Sequence, residues 1–337
     1  MNLLVLSLGF FLAVALLFYV IFGGADFGAG IVEIFLPKKA SAKNIVTKAM
    51  APVWEANHVW LILAVVILFM GFPSVYLAVT LYLHLPVLFV LIGIVARGCA
   101  FTFRYYDVLA EHPAIYSRLF NFSSVWTAFF LGTIVGACTY GQIDPAATGY
   151  YDLYLRSWLN PFCASVGLFT ICLFSFIASV FLCGEAKERS DKDIFLKLAK
   201  ITNAAMILSG SVVFISAKVL GHSFGKEFFS KSLCLVSFLA ATLLEGPFWK
   251  SLKNEKILET RIFGVAMISF VLFGWFGLQY PVLLQYADGM SVTFQEAAAP
   301  ESVLKVLLGS LVCGVAIIFP ALFYLMKIFK AQTFEEK

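Results

Sequence analysis

The chain is 337 residues long; 61% of them are hydrophobic, only 13% are charged, and the net charge is +4. A soluble domain carries roughly 25% charged residues, so a water-soluble globular protein is excluded. The net charge says little about partners, and nucleic acid is not expected among them; the placement of the charges says far more.

Runs of about 20 apolar residues recur, each enough to cross a ~30 Å hydrocarbon layer at ~1.5 Å per residue. Their period is helical and strand alternation is absent, which predicts an all-α polytopic membrane protein and not a barrel. Nine transmembrane helices are predicted, at 3–36, 51–70, 74–96, 119–138, 158–183, 201–220, 232–248, 262–284 and 303–326, forming one transmembrane domain over 1–337. The start lacks a basic n-region and a small-residue cleavage site, so it reads as the first span and not as a removed signal.

The first span carries Gly23-Gly24-Ala25-Asp26-Phe27-Gly28-Ala29-Gly30. Pro37-Lys38-Lys39 marks its inner end, and Asp26 lies 11 residues back, which is ~17 Å along a helix axis. Glu33, seven residues beyond Asp26, shares nearly the same helical face. Gly24 and Gly28 have the GxxxG spacing that lets another helix approach closely. A carboxylate in hydrocarbon costs several kcal/mol or must be neutralised, so such residues mark ion or proton paths by default.

The second span opens with Pro52-Val53-Trp54-Glu55-Ala56-Asn57-His58-Val59-Trp60. Glu55 sits ~10 Å inside Lys48; His58 is one turn above it, and Trp54 shares an overlapping face. His58 and His84, the latter beside Pro86, read first as packing groups. The third span ends in Ala96-Arg97-Gly98-Cys99 and runs on to Arg104-Tyr105-Tyr106-Asp107. Arg97 is close enough to the apolar segment to pair with Glu55 or Asp26. Together Asp26, Glu33, Glu55 and Arg97 make a polar funnel on the inner half, whose acids can exchange protons with the cytoplasm.

The later spans are plainer. Gly184–Lys200 is a charged, helical connector with a solvated face. The loop Pro281–Ser302 carries no Lys or Arg. With the N-terminus placed outside, nineteen of the 24 Lys and Arg residues fall on inner segments, which predicts N-terminus outside, C-terminus cytoplasmic and an odd number of spans. The seven cysteines stand singly, with no CxxC or Cys/His spacing, so no disulfide framework or metal site is expected. Asp26-Phe27-Gly28 spells a kinase magnesium motif, but no nucleotide loop accompanies it.

At these residues the chain resembles subunit II of cytochrome bd-type quinol oxidases. The matching stretches are GGADFGAG (23–30), PVWEANHVWLI (52–62), ARGCAFTFRYYD (96–107) and YADGMSVTFQEAAAPESVLKVLL (286–308). The resemblance covers essentially the whole chain, and the second and third motifs together are specific. Ala56 stands where the family often has glycine, Glu55 where it can have Asp, and position 58 is filled by various polar residues.

The resemblance implies a multi-pass protein of a bacterial cytoplasmic membrane, built as two four-helix bundles plus one extra helix. It implies a heterodimer with a subunit I that carries two b-type hemes, one d-type heme and the quinol site. This chain is then an accessory, non-heme-ligating subunit with no directly catalytic residue, lining a proton or oxygen route from the cytoplasm. Small accessory subunits, membrane lipid and a bound quinone belong to the same expectation. Asp26 and Glu55 are the proton-path carboxylates it implies, with Arg97 holding a carboxylate charged or orienting water, and Glu33 joins them by its helical face; Trp60 and Asn57, with Trp54 and His58 of the same helix, are expected to face subunit I near its hemes. The competing reading is a cation-coupled secondary transporter with Asp26 and Glu55 as ion site, against which stands the lack of an internal repeat or a second broken segment. A third is a structural membrane partner with packing-only acids.

Overall fold

A computed structural model describes the backbone of residues 2–37, 40–106, 113–140 and 142–335, and their side chains except at 40–41, 51–56, 105–106, 113, 140, 322–323 and 325–335. Among the described residues eight helices are long and apolar enough to cross a membrane. A ninth counts if the bent pair Asn57–Gly71 and Pro73–Tyr82 is one span.

The first span is α1 (Leu3–Phe18), a π-helical turn (Tyr19–Gly23) and α2 (Gly24–Glu33). Asn2 caps α1, its Oδ1 accepting from the Leu4 N–H at 3.2 Å, which satisfies one of the open donors of a helix start. The π turn inserts an extra residue per turn and rotates the face that follows it. The second span is α3 (Ala40–Gly71), eleven residues longer at its start than the hydropathy run predicts, because Ala40–Met50 is a polar extension of the same helix.

The third span departs from expectation. Residues 74–96 are predicted as one span, but Pro73–Tyr82 forms a separate helix, α4, bent by 113° from α3. Pro73 occupies the first turn of α4, where its missing N–H costs nothing, and Phe72 before it leaves helical geometry at φ −133° and ψ 59°, as a residue preceding proline prefers. The apolar composition of α4 matches that of a span, so hydropathy cannot separate the two. The third span is therefore α5 (His84–Tyr106), shifted by ten residues, and Arg97 moves from its end into its interior.

The remaining helices are α6 (Pro113–Tyr140), the short α7 (Tyr150–Tyr154), α8 (Pro161–Leu182), α9 (Arg189–Val219), the short α10 (Phe224–Ser230), α11 (Ser232–Lys253), α12 (Ile257–Gln279) and α13 (Glu301–Glu335). The charged connector is the start of α9, continuous with the sixth span. The eighth span ends at Gln279, short of the predicted 284, and the chain turns into a hairpin of β1 (Val282–Gln285) and β2 (Ser291–Thr293). This hairpin and the loop after it cap one end of the molecule: the Ala287 N–H donates to Ile143 O and the Ala299 N–H to Gly71 O, both at 2.9 Å.

The first four spans pack as neighbours, and so do the next four, while α13 lies against α1 and α3. The two groups meet where α2 and α6 both pack on α8, with α2 also against α6. The glycines of α2 permit this. A Cβ on Gly28 would overlap the Phe174 carbonyl oxygen of α8, and one on Gly30 would overlap the Ser124 hydroxyl of α6. The core is divided by depth, not by bundle: one cluster gathers Phe27, Phe120, Phe176 and Phe248, the other Leu8, Ile67, Phe72 and Phe162.

Gly28→Ala must push α2 away from α8, an overpacking worth about 1–3 kcal/mol. It is expected to lower the melting temperature in mild detergent. Gly225→Ala, where a Cβ meets nothing within 4 Å, is expected to leave it unchanged.

Candidate functional site

Asp26 sits in the first turn of α2, directly after the π turn, with no exposed surface. Two groups compensate its charge. Arg97 of α5 places Nη2 2.6 Å from Asp26 Oδ1 and donates from the same nitrogen to the Asp26 carbonyl at 2.8 Å. Asn57 of α3 donates from Nδ2 to Oδ2 at 2.6 Å. Arg97 is itself 1% exposed and donates from Nε to Ser124 Oγ of α6 at 3.2 Å. Its guanidinium lies over the rings of Phe27 and Phe120, 4.9 and 4.7 Å from their centroids. A charged pair withdrawn from water is tolerated only when its remaining donors and acceptors are satisfied, and arginine's planar fork and aromatic affinity suit it to this position.

A second ion pair stands one step along the same two helices. Arg104 Nη1 is 2.7 Å from Glu33 Oε2, and Arg104 Nη2 donates to Thr47 Oγ1 at 2.6 Å and to the Lys43 carbonyl at 3.3 Å, both on α3. Lys43 Nζ approaches Glu33 Oε1 at 4.0 Å. The Glu33 side chain is fully buried, whereas Arg104 is 13% and Lys43 35% exposed, so this pair lies nearer the surface. Arg104 also sits over Phe120, 5.5 Å from the ring centroid. Asp26 to Glu33 and Arg97 to Arg104 are both steps of seven residues. Since α2 and α5 run the same way, equal steps of ~10.5 Å stack two ion pairs in register.

Several buried polar atoms near these pairs have no hydrogen-bond partner: Tyr19 Oη, Asn57 Oδ1, Trp60 Nε1 and Glu33 Oε1. Tyr19 and His58 both lie within electrostatic reach of Asp26 and Arg97. His58 is half-buried. Trp60 is 3% exposed and packs inside the chain, its ring 4.5 Å from Phe18 and 5.7 Å from Phe319 of α13. Glu55 and Trp54 lie on α3, but their side chains fall outside the described residues. The structure thus brings Asp26, Arg97 and Asn57 into direct contact and places Glu33 on the next step.

Sequence reasoning gave no role to Arg104, Ser124, Phe120 or Tyr19. The equal seven-residue spacing of acids and arginines was the available signal for Arg104. A further polar cluster, also missed, joins α9 to α11: Asn203 Nδ2 donates to Glu245 Oε1 at 3.2 Å, and Trp249 Nε1 reaches Asn203 Oδ1 and Glu245 Oε2 at 3.1 Å each. An acid beside Gly246-Pro247 within an apolar run was its signal. Among the described residues no group of three or more His, Cys, Asp or Glu can hold a metal ion, and His84 Nδ1 lies 2.9 Å from Leu81 O.

The sequence pattern of the family described as "Cytochrome bd terminal oxidase subunit II" matches residues 4–329. Cytochrome bd ubiquinol oxidase subunit 2 of Bacillus subtilis is 30% identical over 126 residues, 37% of either chain. Cytochrome bd-I ubiquinol oxidase subunit 2 of Escherichia coli K12 is 25% identical over 166 residues, 47% of this chain and 42% of that one. The aligned segments therefore span less than half the length of either relative. The structure of bd oxidase from Geobacillus thermodenitrificans contains a chain of the same fold: TM-score 0.78, 19% identity, with 98% of this chain and 99% of that one covered.

Arg97→Gln strands the Asp26 carboxylate without its cation, a loss of about 3–5 kcal/mol for a buried pair. The double variant Asp26→Asn/Arg97→Gln is expected to be less destabilised than the sum of the single variants. Unfolding of the four proteins of this cycle in detergent measures the coupling.

Proposed function

The chain belongs to the cytochrome bd terminal oxidase subunit II family, and from that premise we propose that it is the accessory subunit of a quinol:oxygen oxidoreductase in a bacterial cytoplasmic membrane. In this reading it binds a heme-carrying subunit I and ligates no heme itself. The two b-type hemes and one d-type heme belong to that partner, where they oxidise quinol and reduce oxygen to water. Among the described residues no cluster of His, Cys, Asp or Glu suits a metal ion.

The work assigned to this chain is to hold and move protons. The observation that carries this reading is the pair of buried carboxylates, Asp26 and Glu33, stacked on one face of α2. Glu33 lies nearer the surface, and its Oε1 accepts no hydrogen bond, which leaves one oxygen able to take a proton. Asp26 is held by Arg97 and Asn57 deeper in the membrane. Glu55 and His58 belong to α3, the helix that supplies Asn57, and are assigned to the same path. The orphaned Asn57 Oδ1 and Tyr19 Oη are atoms that ordered water satisfies in a buried polar site, and such water would serve Asp26. Arg97 and Arg104 hold the two carboxylates in place by direct ion pairs.

Two measurements test the proposal. The tagged chain, purified in mild detergent from its native membrane, is expected to bring a second large subunit and to show b- and d-type bands in a reduced-minus-oxidised spectrum. A colourless protein arriving alone from membranes that contain those hemes would overturn the oxidase assignment. Asp26→Asn and Glu55→Gln are each expected to slow oxygen consumption at least about tenfold, as loss of a proton-transfer group does, while most of the heme is retained. Full turnover in both variants would remove the proton-path assignment and leave the subunit a purely structural one.

A further inference from the structure

The end of the molecule predicted to face the cytoplasm holds a second cluster of charge, far along the chain from the Asp26 site. The first turns of α9 and the last turn of α11 enclose a cavity of about 260 Å³ whose charged lining is Arg189, Asp193, Lys197, Lys200, Lys253 and Glu255. Its apolar floor is Leu196 and Leu252. Asp193, Lys197 and Lys200 recur at four and three residues, so they share one face of α9.

The two carboxylates in this lining are already occupied. Arg189 Nη2 is 2.6 Å from Glu255 Oε1 and Arg189 Nε is 3.3 Å from Asp193 Oδ1, while Lys192 Nζ is 2.9 Å from Glu255 Oε2. The hydrogen bonds from Lys192 and Arg189 hold the Glu255 carboxyl below its usual range, so it stays ionised and engaged. Glu255 is also the one described non-glycine residue with positive φ, at 55°, a conformation that persists only when its surroundings hold it there. The strapped turn joins the start of α9 to the end of α11 and gives the cavity a built wall. Lys197, Lys200 and Lys253 make no ion pair or hydrogen bond through their ammonium groups among the described residues. Three cations from two helices thus line one cavity, and among the described residues no carboxylate pairs with them, Asp193 and Glu255 being engaged by Arg189 and Lys192.

Above the cavity the surface turns apolar. Ile201 follows Lys200 and is 53% exposed, and Leu208, two turns further on the same face, is 68% exposed. On α11, Trp249 stands one turn before Lys253, 40% exposed, with its N–H spent on Asn203 and Glu245 so that only the ring faces outward. A basic pocket at the membrane boundary with a tryptophan and an apolar strip beyond it has the chemistry of one ligand class, a phosphate that carries hydrocarbon. We propose that the α9–α11 cavity binds the phosphate of an anionic phospholipid, through Lys197, Lys200 and Lys253, with its chains lying along Ile201, Leu208 and the Trp249 ring. Free phosphate shares the headgroup chemistry but would gain nothing from the apolar strip.

The test uses the protein as purified, with its partner if one accompanies it. It is placed in nanodiscs containing equal amounts of phosphatidylglycerol and phosphatidylcholine, then released into mild detergent, and the retained lipid is weighed by native mass spectrometry. Phosphatidylglycerol is expected to be retained over phosphatidylcholine by about tenfold or more, as three basic groups at an anionic headgroup allow. In Lys197→Gln/Lys200→Gln/Lys253→Gln the preference is expected to vanish. Lys226→Gln/Lys231→Gln, at the opposite end of the molecule, is expected to keep it, and so is Lys200→Arg. Equal retention of the two lipids, or a triple variant that still prefers phosphatidylglycerol, overturns the proposal. Excess inorganic phosphate that strips the bound lipid assigns the cavity to a free anion and likewise overturns it. The readout is lipid, not oxygen consumption, so it succeeds or fails independently of the proton-path reading.

Discussion

The inner half of this protein is organised by the need to neutralise one carboxylate. Asp26 has no contact with solvent, and its charge is met by an arginine from α5 and an amide from α3. Arg97 in turn needs its own remaining donors met, and Ser124 of α6 and two phenyl rings supply that. Removing two ions from water carries a large penalty that is offset only by a complete set of partners. One pair therefore fixes the relative positions of four helices. Where apolar side chains alone allow helices to slide past one another in lipid, since lipid is as apolar as leucine, this cluster admits a single register. The second pair, Glu33 with Arg104, repeats the same constraint one step along and ties in α3 through Thr47 and Lys43.

The backbone of the first span is shaped to serve that cluster. The π turn over Tyr19–Gly23 rotates α2 relative to α1, and π turns gather at functional sites because they re-aim a face without ending the helix. The glycine-rich segment is a continuous helix and not an unwound ion-binding break; its small residues let α2 sit between α6 and α8 at backbone contact distance. A transporter reading needs an unwound segment there, whereas here the two groups of four helices meet where the helical α2 and α6 pack on α8. The same device, charge strapped across helix ends, recurs at Glu255, where two cations hold a strained turn.

Much of the candidate site was legible before any coordinates. Asp26 and Glu33 stood out as acids in apolar sequence, and Arg97 as a cation at hand to pair with them. Arg104 was overlooked because a Lys or Arg near a span end is ordinarily an interfacial anchor; only the matched step of seven on both helices distinguished it. The bend at Phe72-Pro73 was hidden for a different reason. Hydropathy averages over a window and α4 is as apolar as a span, so the window slid past the proline and displaced the third span by ten residues. That displacement understated the depth of Arg97. The Glu245–Asn203–Trp249 cluster escaped because its members come from two spans and a lone acid near an inner boundary resembles a surface residue.

By itself the sequence determined the class of the protein, the approximate number of spans and which acids are unusual, because these depend on composition and on spacing along one helix. Family membership was likewise legible, since it rests on short contiguous motifs. Which acid meets which base was a matter for the tertiary structure alone: Arg97 had both Glu55 and Asp26 within reach on helical spacing, and the choice depends on the rotation of α2, the approach allowed by Gly28 and Gly30, and the depth at which α5 begins. Those are relations between helices, and no period along a single chain segment encodes them. The three uncompensated lysines of the α9–α11 cavity belong to the same category, since their lack of partners follows from where a strapped turn places Glu255.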